Sequence, residues 1–305
     1  MRIRKSLLAV VLALVLFASI LIIFSSLILN KAPNQQNIGE KKLIVVTTGI
    51  VADVVYNVAG DRVIIKQLLS EQDIHHWEPS TRDVLEASKA ALIIYSSRHV
   101  ETWIDKFRAA VPEGVEFVEA AENVEFLTVD SYVDPHFWFD ISNMIKVTDK
   151  IVDALVKIDP EGSDYYNKNA GIYKEKLGNL HKDYLDTLSK FRGRVIITRH
   201  DAYRYLGNAY GLITASILGI EEEEISSSKM QYLIELIKKE NVKVVFGEYE
   251  SIDDIVDKFA AEHGLKVLKL YTLGTLSLED VMRGEGYIYR MSKNLEALVE
   301  GLSIE

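Results

Sequence analysis

The sequence contains no cysteine in its 305 residues. This absence excludes disulfide bonds, thiolate metal ligands, a cysteine nucleophile and a lipid attached through a thiol. A metal site in this chain must therefore be built from imidazole and carboxylate groups. The chain is long enough for two domains with separate cores, and its contents of 48% hydrophobic and 26% charged residues are typical of a globular protein.

Acidic residues are absent from the first 31 positions, and residues 6–29 carry no charge at all. An apolar run of this length is about what a helix needs to cross a hydrocarbon core of ~30 Å. The basic residues before it, Arg2, Arg4 and Lys5, should keep the N-terminus in the cytoplasm and place the rest of the chain outside the cell. Since a cleaved signal peptide usually has a shorter apolar segment, we interpret residues 1–30 as an uncleaved membrane anchor, with a signal segment as the alternative.

The polar residues 31–41 lack apolar periodicity and are predicted to be a tether between the membrane segment and the folded part. Four basic residues and no acid lie in residues 1–31, so the net charge of −10 for the whole chain becomes −14 for the remainder. An acidic external domain argues against nucleic acid or anionic lipid as a partner and is compatible with cations.

From residue 42 onward, short β-rich runs alternate with amphipathic helical segments. Several of the β-rich runs are apolar throughout, as expected for parallel strands covered on both faces of a sheet. The same rhythm restarts after residue 193, although no repeat is visible residue by residue. The pattern predicts an α/β fold of two doubly wound, mainly parallel βα lobes. The clearest predicted strands are residues 42–50, 62–69 and 91–97 in the first half and 194–200 and 242–248 in the second.

Residues 163–191 contain no proline and keep apolar or aromatic side chains at helical spacing. A helix of about 28 residues is ~42 Å long, which is long for a globular domain and suits a helix that spans two lobes. The predicted organisation is therefore an N-terminal lobe over residues 42–162, a linking helix over 163–192 and a C-terminal lobe over 193–305.

Three histidines occupy positions at or just beyond the carboxyl ends of predicted strands. His75 follows the second strand, His136 lies in an Asp-Pro-His turn before an aromatic run, and His200 ends the first strand of the second half. Ligands of doubly wound folds bind in the crevice at this edge of the sheet, so a cleft between the lobes could collect all three. Neutral imidazole suits zinc, whereas manganese draws more oxygen ligands.

A purely structural interpretation of these histidines is also available. A single histidine in a loop is more often a surface or hydrogen-bonded residue than a ligand, and the three positions form no local zinc signature. Nearby acids could bind the metal themselves or accept a proton from a ligand histidine; they are Asp73, Asp134, Asp140 and Asp201. Composition and spacing alone leave both interpretations open.

Several motifs in order along the chain resemble one family. DIHHWEPSTRDV (73–84) is similar to its D-P-H-x-Y-E-P-x-x-x-D-V segment, and VDPHFWFDISN (133–143) to its D-P-H-x-W-x-D-P motif. ITRHDAYRYLGNAYGL (197–212) resembles its H-D-A-F-x-Y-x-x-x-x-Y-G-L segment. The family comprises the substrate-binding proteins of zinc and manganese uptake ABC transporters, known as cluster A-I. The resemblance extends over roughly residues 42–302.

The resemblance implies that His75, His136 and His200 are the metal ligands. The family's third position is typically histidine in zinc-type members and glutamate in many manganese-type ones, so His200 favours Zn²⁺ over Mn²⁺. The implied fold has two βα lobes bridged by one long rigid helix, in agreement with the pattern above. His76 takes the variable place after the first ligand, and His99 is a candidate auxiliary ligand near the cleft.

The chain departs from the family at the fourth ligand. An aspartate is often found after the last strand, but Leu273 takes that place here and cannot bind a metal. Water, Asp73 and Glu248 remain as alternatives for the fourth position. The first motif also has Ile74 and Trp77 where proline and tyrosine are usual.

The function implied by the resemblance is that of an extracytoplasmic receptor that captures Zn²⁺ between the lobes and delivers it to an ABC permease. We expect a membrane-anchored monomer with its metal-binding part outside the cell and no enzymatic activity. Two alternatives use the same scaffold. One is a zinc hydrolase with three histidines, an open fourth position and Glu248 as base; the other is an adhesin or metallochaperone.

Overall fold

Two four-stranded parallel sheets form the framework of the part of the chain that the computed structural model describes, residues 41–69, 74, 76–129, 132–251 and 254–304. The first sheet has the order β2-β1-β3-β4, and Ile44 of β1 lies between Ile65 of β2 and Leu92 of β3. Its central strands are buried because helices cover both faces, which explains their continuous apolar sequences. The elements of this half are β1 (Lys42–Val46), α1 (Gly49–Ala59), β2 (Val63–Gln67), α2 (Thr81–Ala87), β3 (Leu92–Tyr95), α3 (Ile104–Ala110), β4 (Glu116–Glu119), β5 (Thr128–Val129) and β6 (Tyr132–Val133).

The second sheet has the order β10-β9-β7-β8 and is also parallel throughout. Leu270 at the end of β10 pairs with Glu248 at the end of β9, so the loops after both strands lie at one edge. The elements that follow β6 are α4 (Ile141–Ile158), α5 (Ser163–Leu188), β7 (Val195–Thr198), α6 (Arg204–Tyr210), β8 (Ile213–Ser216), α7 (Ser227–Lys239), β9 (Val244–Glu248), α8 (Ile255–His263), β10 (Lys266–Leu270), α9 (Leu278–Met282) and α10 (Tyr287–Leu302).

Helix α5 joins the two sheets. Its 26 residues span about 39 Å, and it packs against α1 and α4 of the first half and against α6 and α10 of the second. At its start, Asp159 accepts hydrogen bonds from the guanidinium of Arg62 and from the hydroxyl of Tyr166. The prediction of a long linking helix is confirmed; the α-helix ends at Leu188, and residues 189–191 continue as a 3₁₀ turn.

A loop of the second half, residues 271–277, packs directly on the first half. The side-chain amide of Gln67 donates to the carbonyl of Leu276 at 2.9 Å, and its oxygen accepts from the backbone N–H of Leu278 at 2.6 Å. Trp138 Nε1 donates to the carbonyl of Thr272 at 3.0 Å. These hydrogen bonds hold the loop after β10 against the first half.

The alternating βα pattern in both halves is confirmed, and α2 begins with a capping box formed by Ser80 and Asp83. Two elements were not predicted: the short helix α9, capped by Ser277 and Asp280, and the antiparallel partner β6. They consist of five and two residues, too few for apolar periodicity to be visible. The lobe boundaries at 42–162, 163–192 and 193–305 stay a prediction.

The predicted membrane segment, residues 1–30, and residues 31–40 of the tether lie outside the described residues. Among the helices of the described part, none combines the length and the apolar character needed to cross a membrane.

Candidate metal centre

The fold brings His136 and His200 together. His136 follows β6 and His200 follows β7, and their ring centroids lie 5.3 Å apart. Both side chains are buried, with residue exposures of 1% and 2%. His75 and Asp73 lie outside the described residues. Two of the three predicted ligands are therefore neighbours in space although 64 positions separate them in sequence.

Asp134 orients His136. One carboxylate oxygen of Asp134, Oδ1, accepts a hydrogen bond from the backbone N–H of His136 at 2.9 Å and lies 2.9 Å from ring nitrogen Nδ1. A proton on Nδ1 satisfies this contact, and in that tautomer the ring lone pair is on Nε2. The 3₁₀ turn Phe137–Phe139, buried throughout, fixes the backbone that follows.

His200 is oriented in the same manner by Glu248, the last residue of β9. Glu248 Oε1 lies 2.5 Å from His200 Nδ1, and Glu248 is itself buried. The pairing arises because β7 and β9 are parallel neighbours, so their carboxyl ends meet at the same edge of the sheet. Glu248 was one of the alternatives for the fourth metal ligand. In the structure it contacts Nδ1 of His200, a predicted ligand.

Two further charged residues surround this pair. The guanidinium of Arg199 lies 2.6 Å from Glu222 Oε2 and 3.4 Å from Glu248 Oε2. His200, Glu222 and Glu248 each offer an atom within 4.8 Å of the others, a spacing that could hold a metal ion. Sequence reasoning did not single out Arg199 or Glu222. The run of four glutamates at residues 221–224 was the visible signal for Glu222, but an acidic run more often marks a solvated loop.

The two histidines differ in their electrostatics. Burial, reinforced by the neighbouring His200, lowers the pKa of His136 well below its ordinary value of 6.5. Burial is also the largest single influence on His200 and lowers its pKa, but the carboxylates of Glu248 and Glu222 together raise that pKa further, and the net shift is upward. His136 is therefore a neutral imidazole near pH 7, while His200 holds its proton more firmly. Both must be neutral to bind a divalent metal.

Buried aromatic side chains lie on the segments that carry the two histidines. The indole of Trp138 packs edge-on against His136 with ring centroids 5.3 Å apart, and the ring of Tyr203, three residues after His200, contacts Phe139 at 4.4 Å. These rings are buried, and the indole of Trp138 and the phenyl ring of Phe139 have no lone pairs suited to a bare divalent ion. Electrostatic interactions are stronger in such buried, apolar surroundings than in water.

The remaining candidate residues have other contacts. His76 is exposed, and His99 is half-buried against the ring of Phe126 at 4.8 Å. Asp140 caps α4 by accepting from the N–H of Ser142, and Asp201 forms an ion pair with Arg204. Of the four candidate acids, Asp134 is the one with a hydrogen bond to a predicted ligand histidine in the part of the chain that the structure describes.

Leu273 is fully buried and adopts a left-handed backbone conformation with φ of 66°. It belongs to the same apolar cluster as Ile74, Phe137 and Trp138. The position that the resemblance assigns to a fourth ligand is therefore filled by a hydrocarbon side chain.

The carboxyl edge of the first sheet holds a second buried acid. Glu101 is 2% exposed and accepts hydrogen bonds from the backbone N–H groups of Ser96 and Ser97 at 3.0 and 2.9 Å and from the hydroxyl of Thr47. Burial raises its pKa, against the opposing effect of these hydrogen bonds. No pattern in the sequence distinguished this glutamate from the surface acids around it.

Comparison with known proteins gives a consistent set of relatives. The family model described as "ZnuA: Zinc-uptake complex component A periplasmic" matches residues 44–301. The high-affinity zinc uptake system protein ZnuA of Bacillus subtilis (strain 168) is 30% identical over 285 residues, which cover 88% of this chain and 89% of that protein. The manganese ABC transporter substrate-binding lipoprotein PsaA of Streptococcus anginosus is 29% identical over 87% of this chain and 90% of its own length.

Among solved structures, the laminin-binding protein Lmb of Streptococcus agalactiae has a TM-score of 0.79 and 27% identity. The match covers 87% of this chain and 100% of that one. That protein is described as bifunctional, with adhesin and metal transporting activity.

Proposed function

The chain belongs to the family of periplasmic zinc-uptake components A, and on this premise we propose that it captures Zn²⁺ outside the cytoplasm and delivers it to an ABC permease. The metal is the cargo of this receptor and is bound in the crevice between the two sheets. The observation that supports the proposal most directly is the pair His136 and His200, buried 5.3 Å apart with each Nδ1 held by a carboxylate.

This arrangement suits a divalent metal for chemical reasons. A carboxylate on Nδ1 fixes the tautomer, turns the ring and increases the basicity of Nε2, the nitrogen that would donate to the metal. Two such rings, converging from different strands, supply two of the three or four ligands of a tetrahedral zinc site. The imidazole nitrogens favour zinc over manganese, which draws more oxygen ligands.

We include His75 as the third ligand. The residue before it, Ile74, is buried in the apolar cluster that also contains Phe137 and Trp138 beside His136, which supports the inclusion of this segment in the site. For the fourth position, the hydrogen bond between Glu248 and His200 argues for a supporting role of this carboxylate, and leaves water or Asp73 as the candidates.

The assembly follows from the sequence. Residues 1–30 anchor the protein in the membrane and place residues 42–305 outside the cell, as an N-terminal lobe (42–162), a linking helix (163–192) and a C-terminal lobe (193–305). A transmembrane anchor suits a chain without cysteine, since thiol-linked lipidation is not available to it. The receptor acts as a monomer, and its protein partner is the permease.

The hydrolase alternative requires a carboxylate that can act as general base on a metal-bound water. Glu248 was the candidate for this role, but its two carboxylate oxygens face His200 Nδ1 and the guanidinium of Arg199. A carboxylate that is engaged in this way is poorly placed to accept a proton from water. The geometry therefore favours the receptor over the hydrolase.

Titration calorimetry of the detergent-solubilised chain tests the proposal. The wild-type protein should bind one Zn²⁺, and His136→Ala should weaken binding by more than the roughly 10- to 100-fold that loss of an outer partner of a ligand costs. The matched control is His76→Ala, which removes an exposed histidine next to His75 and should leave the affinity unchanged. Absence of zinc binding by the wild type, or full affinity of His136→Ala, would contradict the proposal.

A further inference from the structure

Next to the short antiparallel pair β5–β6, a side-chain hydroxyl takes the place of one backbone hydrogen bond between the strands. Thr128 pairs with Val133, so Leu127 and Asp134 form the next pair of the ladder, and the N–H of Asp134 donates to the carbonyl of Leu127 at 2.9 Å. In a regular ladder a hydrogen-bonded pair exchanges both of its bonds. Here the N–H of Leu127 donates to the hydroxyl of Tyr205 instead, at 2.8 Å.

The Tyr205 hydroxyl also donates to the carbonyl of Asp134, at 3.0 Å. One phenol oxygen thus replaces the second backbone hydrogen bond of this pair and is hydrogen-bonded to both strands. The side chain is 3% exposed, and burial raises the pKa of Tyr205, so the phenol keeps the proton that it donates. Both hydrogen bonds join a side chain to backbone groups and do not depend on the identity of residues 127 and 134.

The two partners of this contact belong to different halves of the molecule. Tyr205 is the second residue of α6 and follows His200 by five positions, while Asp134 precedes His136 by two. The hydroxyl therefore joins the segment that bears one histidine of the metal centre to the segment that bears the other. Asp134 contributes twice, since its carbonyl accepts from Tyr205 and its carboxylate orients the His136 ring.

We propose that Tyr205 is a positioning residue that fixes the separation of His136 and His200 and thereby slows the release of the bound metal. The inference rests on the proposed function, because it assigns a role within the same site. While the hydroxyl bridges the strands, the β5–β6 turn and α6 move as one body, and the two imidazoles keep the spacing that a tetrahedral ion requires. Separation of the halves has to break both hydrogen bonds or carry the turn away with α6.

The variant Tyr205→Phe removes the hydroxyl and keeps the ring. Loss of two buried hydrogen bonds from the metal-bound state should accelerate zinc dissociation about tenfold. Association should change less than twofold, because the bridge acts after the metal has entered. Rates are measured by stopped-flow mixing of the zinc-loaded full chain with a fluorescent chelator.

Tyr184→Phe is the matched control. Tyr184 is fully buried, and its hydroxyl donates to the carbonyl of Met291 in α10 at 2.7 Å. The phenylalanine keeps the ring, which packs on Tyr210 of α6, so the variant loses a buried hydrogen bond that does not join the segments of the two histidines. Thermal unfolding should shift similarly in the two variants, whereas faster zinc release is expected for Tyr205→Phe alone. Equal release rates in both variants and the wild type would overturn the inference.

Two further readouts separate this inference from the proposed function. Amide hydrogen exchange of Leu127 in the metal-free protein should be faster in Tyr205→Phe, which tests the bridge without any metal. The Co²⁺-substituted variant should show an altered ligand-field spectrum if the histidine spacing has changed. A wild-type protein that binds zinc, with unchanged Leu127 exchange and release rate in the variant, overturns the positioning role alone; a wild-type protein that fails to bind zinc overturns the proposed function together with it.

Discussion

His136 and His200 have the same partner type on Nδ1 and yet opposite pKa shifts. The carboxylate of Asp134 is fully buried beside His136, where burial dominates and lowers the pKa. Glu248 lies near Arg199 and still raises the pKa of His200 against the effect of burial. If both imidazoles bind the metal as proposed, zinc binding near neutral pH should release protons chiefly from His200.

Leu273 is the residue whose replacement should change metal preference. A left-handed backbone costs a non-glycine residue about 1–2 kcal/mol, and aspartate tolerates it better than leucine. Leu273→Asp should therefore suit the backbone and add an oxygen donor at the position that the resemblance assigns to a ligand. We expect the affinity for Mn²⁺ to rise at least about tenfold relative to that for Zn²⁺, as measured by competition titration.

The same substitution buries a carboxylate in an apolar cluster, so the metal-free variant should melt at a lower temperature and recover when the metal is added. Leu273→Asn is the matched control, because it has a similar backbone preference without the charge. An unchanged ratio of the two affinities in Leu273→Asp would show that residue 273 does not face the ion.

Helix α5 has two interior glycines, Gly171 and Gly178, and a Cβ added at either position would meet no atom within 4 Å. Glycine in a helix interior costs about 0.8–1.0 kcal/mol relative to alanine. The double variant Gly171→Ala/Gly178→Ala should therefore increase the free energy of unfolding by roughly 1.5–2 kcal/mol, as measured by urea denaturation.

Gly49→Ala is the contrasting variant at the first residue of α1. A Cβ at this position would lie 1.7 Å from the carbonyl oxygen of Leu276, in the contact between the first half and the loop 271–277. The variant should lose about 1–3 kcal/mol of stability. Equal effects of the alanines in α5 and at residue 49 would refute the distinction between open and crowded glycines.

In the whole molecule without metal, the buried His136 should contribute a loss of stability in acid, against the opposite effect of His200. Because the pKa of His136 lies well below 6.5 in the folded protein, the unfolded chain binds a proton below pH 6.5 that the folded chain does not. The contribution of neutral His136 to the free energy of unfolding is therefore present above pH 6.5. It is lost as the pH falls, with a slope of at most about 1.4 kcal/mol per pH unit. Urea denaturation at pH 7.5 and 5.5 measures this loss.

His136→Gln removes this contribution, while His200, whose pKa is raised and which therefore acts with the opposite sign, is present in both proteins. Burial raises the pKa values of Asp53 and Glu101, so these acids act with the opposite sign, since the folded chain then binds protons more readily than the unfolded one. Both acids are present in the wild type and in the variant. The wild type should lose more stability than His136→Gln between the two pH values, and equal losses would contradict a buried neutral His136.

Secondary structure was largely predictable from the sequence because each signal is local. The apolar runs of β1 and β3, the amphipathic repeat of α4 and the proline-free span of α5 need no knowledge of distant residues, since a strand buried on both faces is apolar and a helix with one buried face has a 3.6-residue repeat. Helix α9 and strand β6 were missed because elements of five and two residues are too short to show a period.

The sequence by itself determined the building blocks of this protein: two sets of βα units, the long helix between them, and imidazole and carboxylate as the available metal ligands. Tertiary structure alone decided the pairings at the site. Glu248 contacts His200 because their strands are neighbours in the sheet, and Tyr205 reaches the backbone of residues 127 and 134 because α6 packs beside the β5–β6 turn. Such contacts join positions about 50 to 80 residues apart, and their energy depends on a geometry that exists only after the chain has folded.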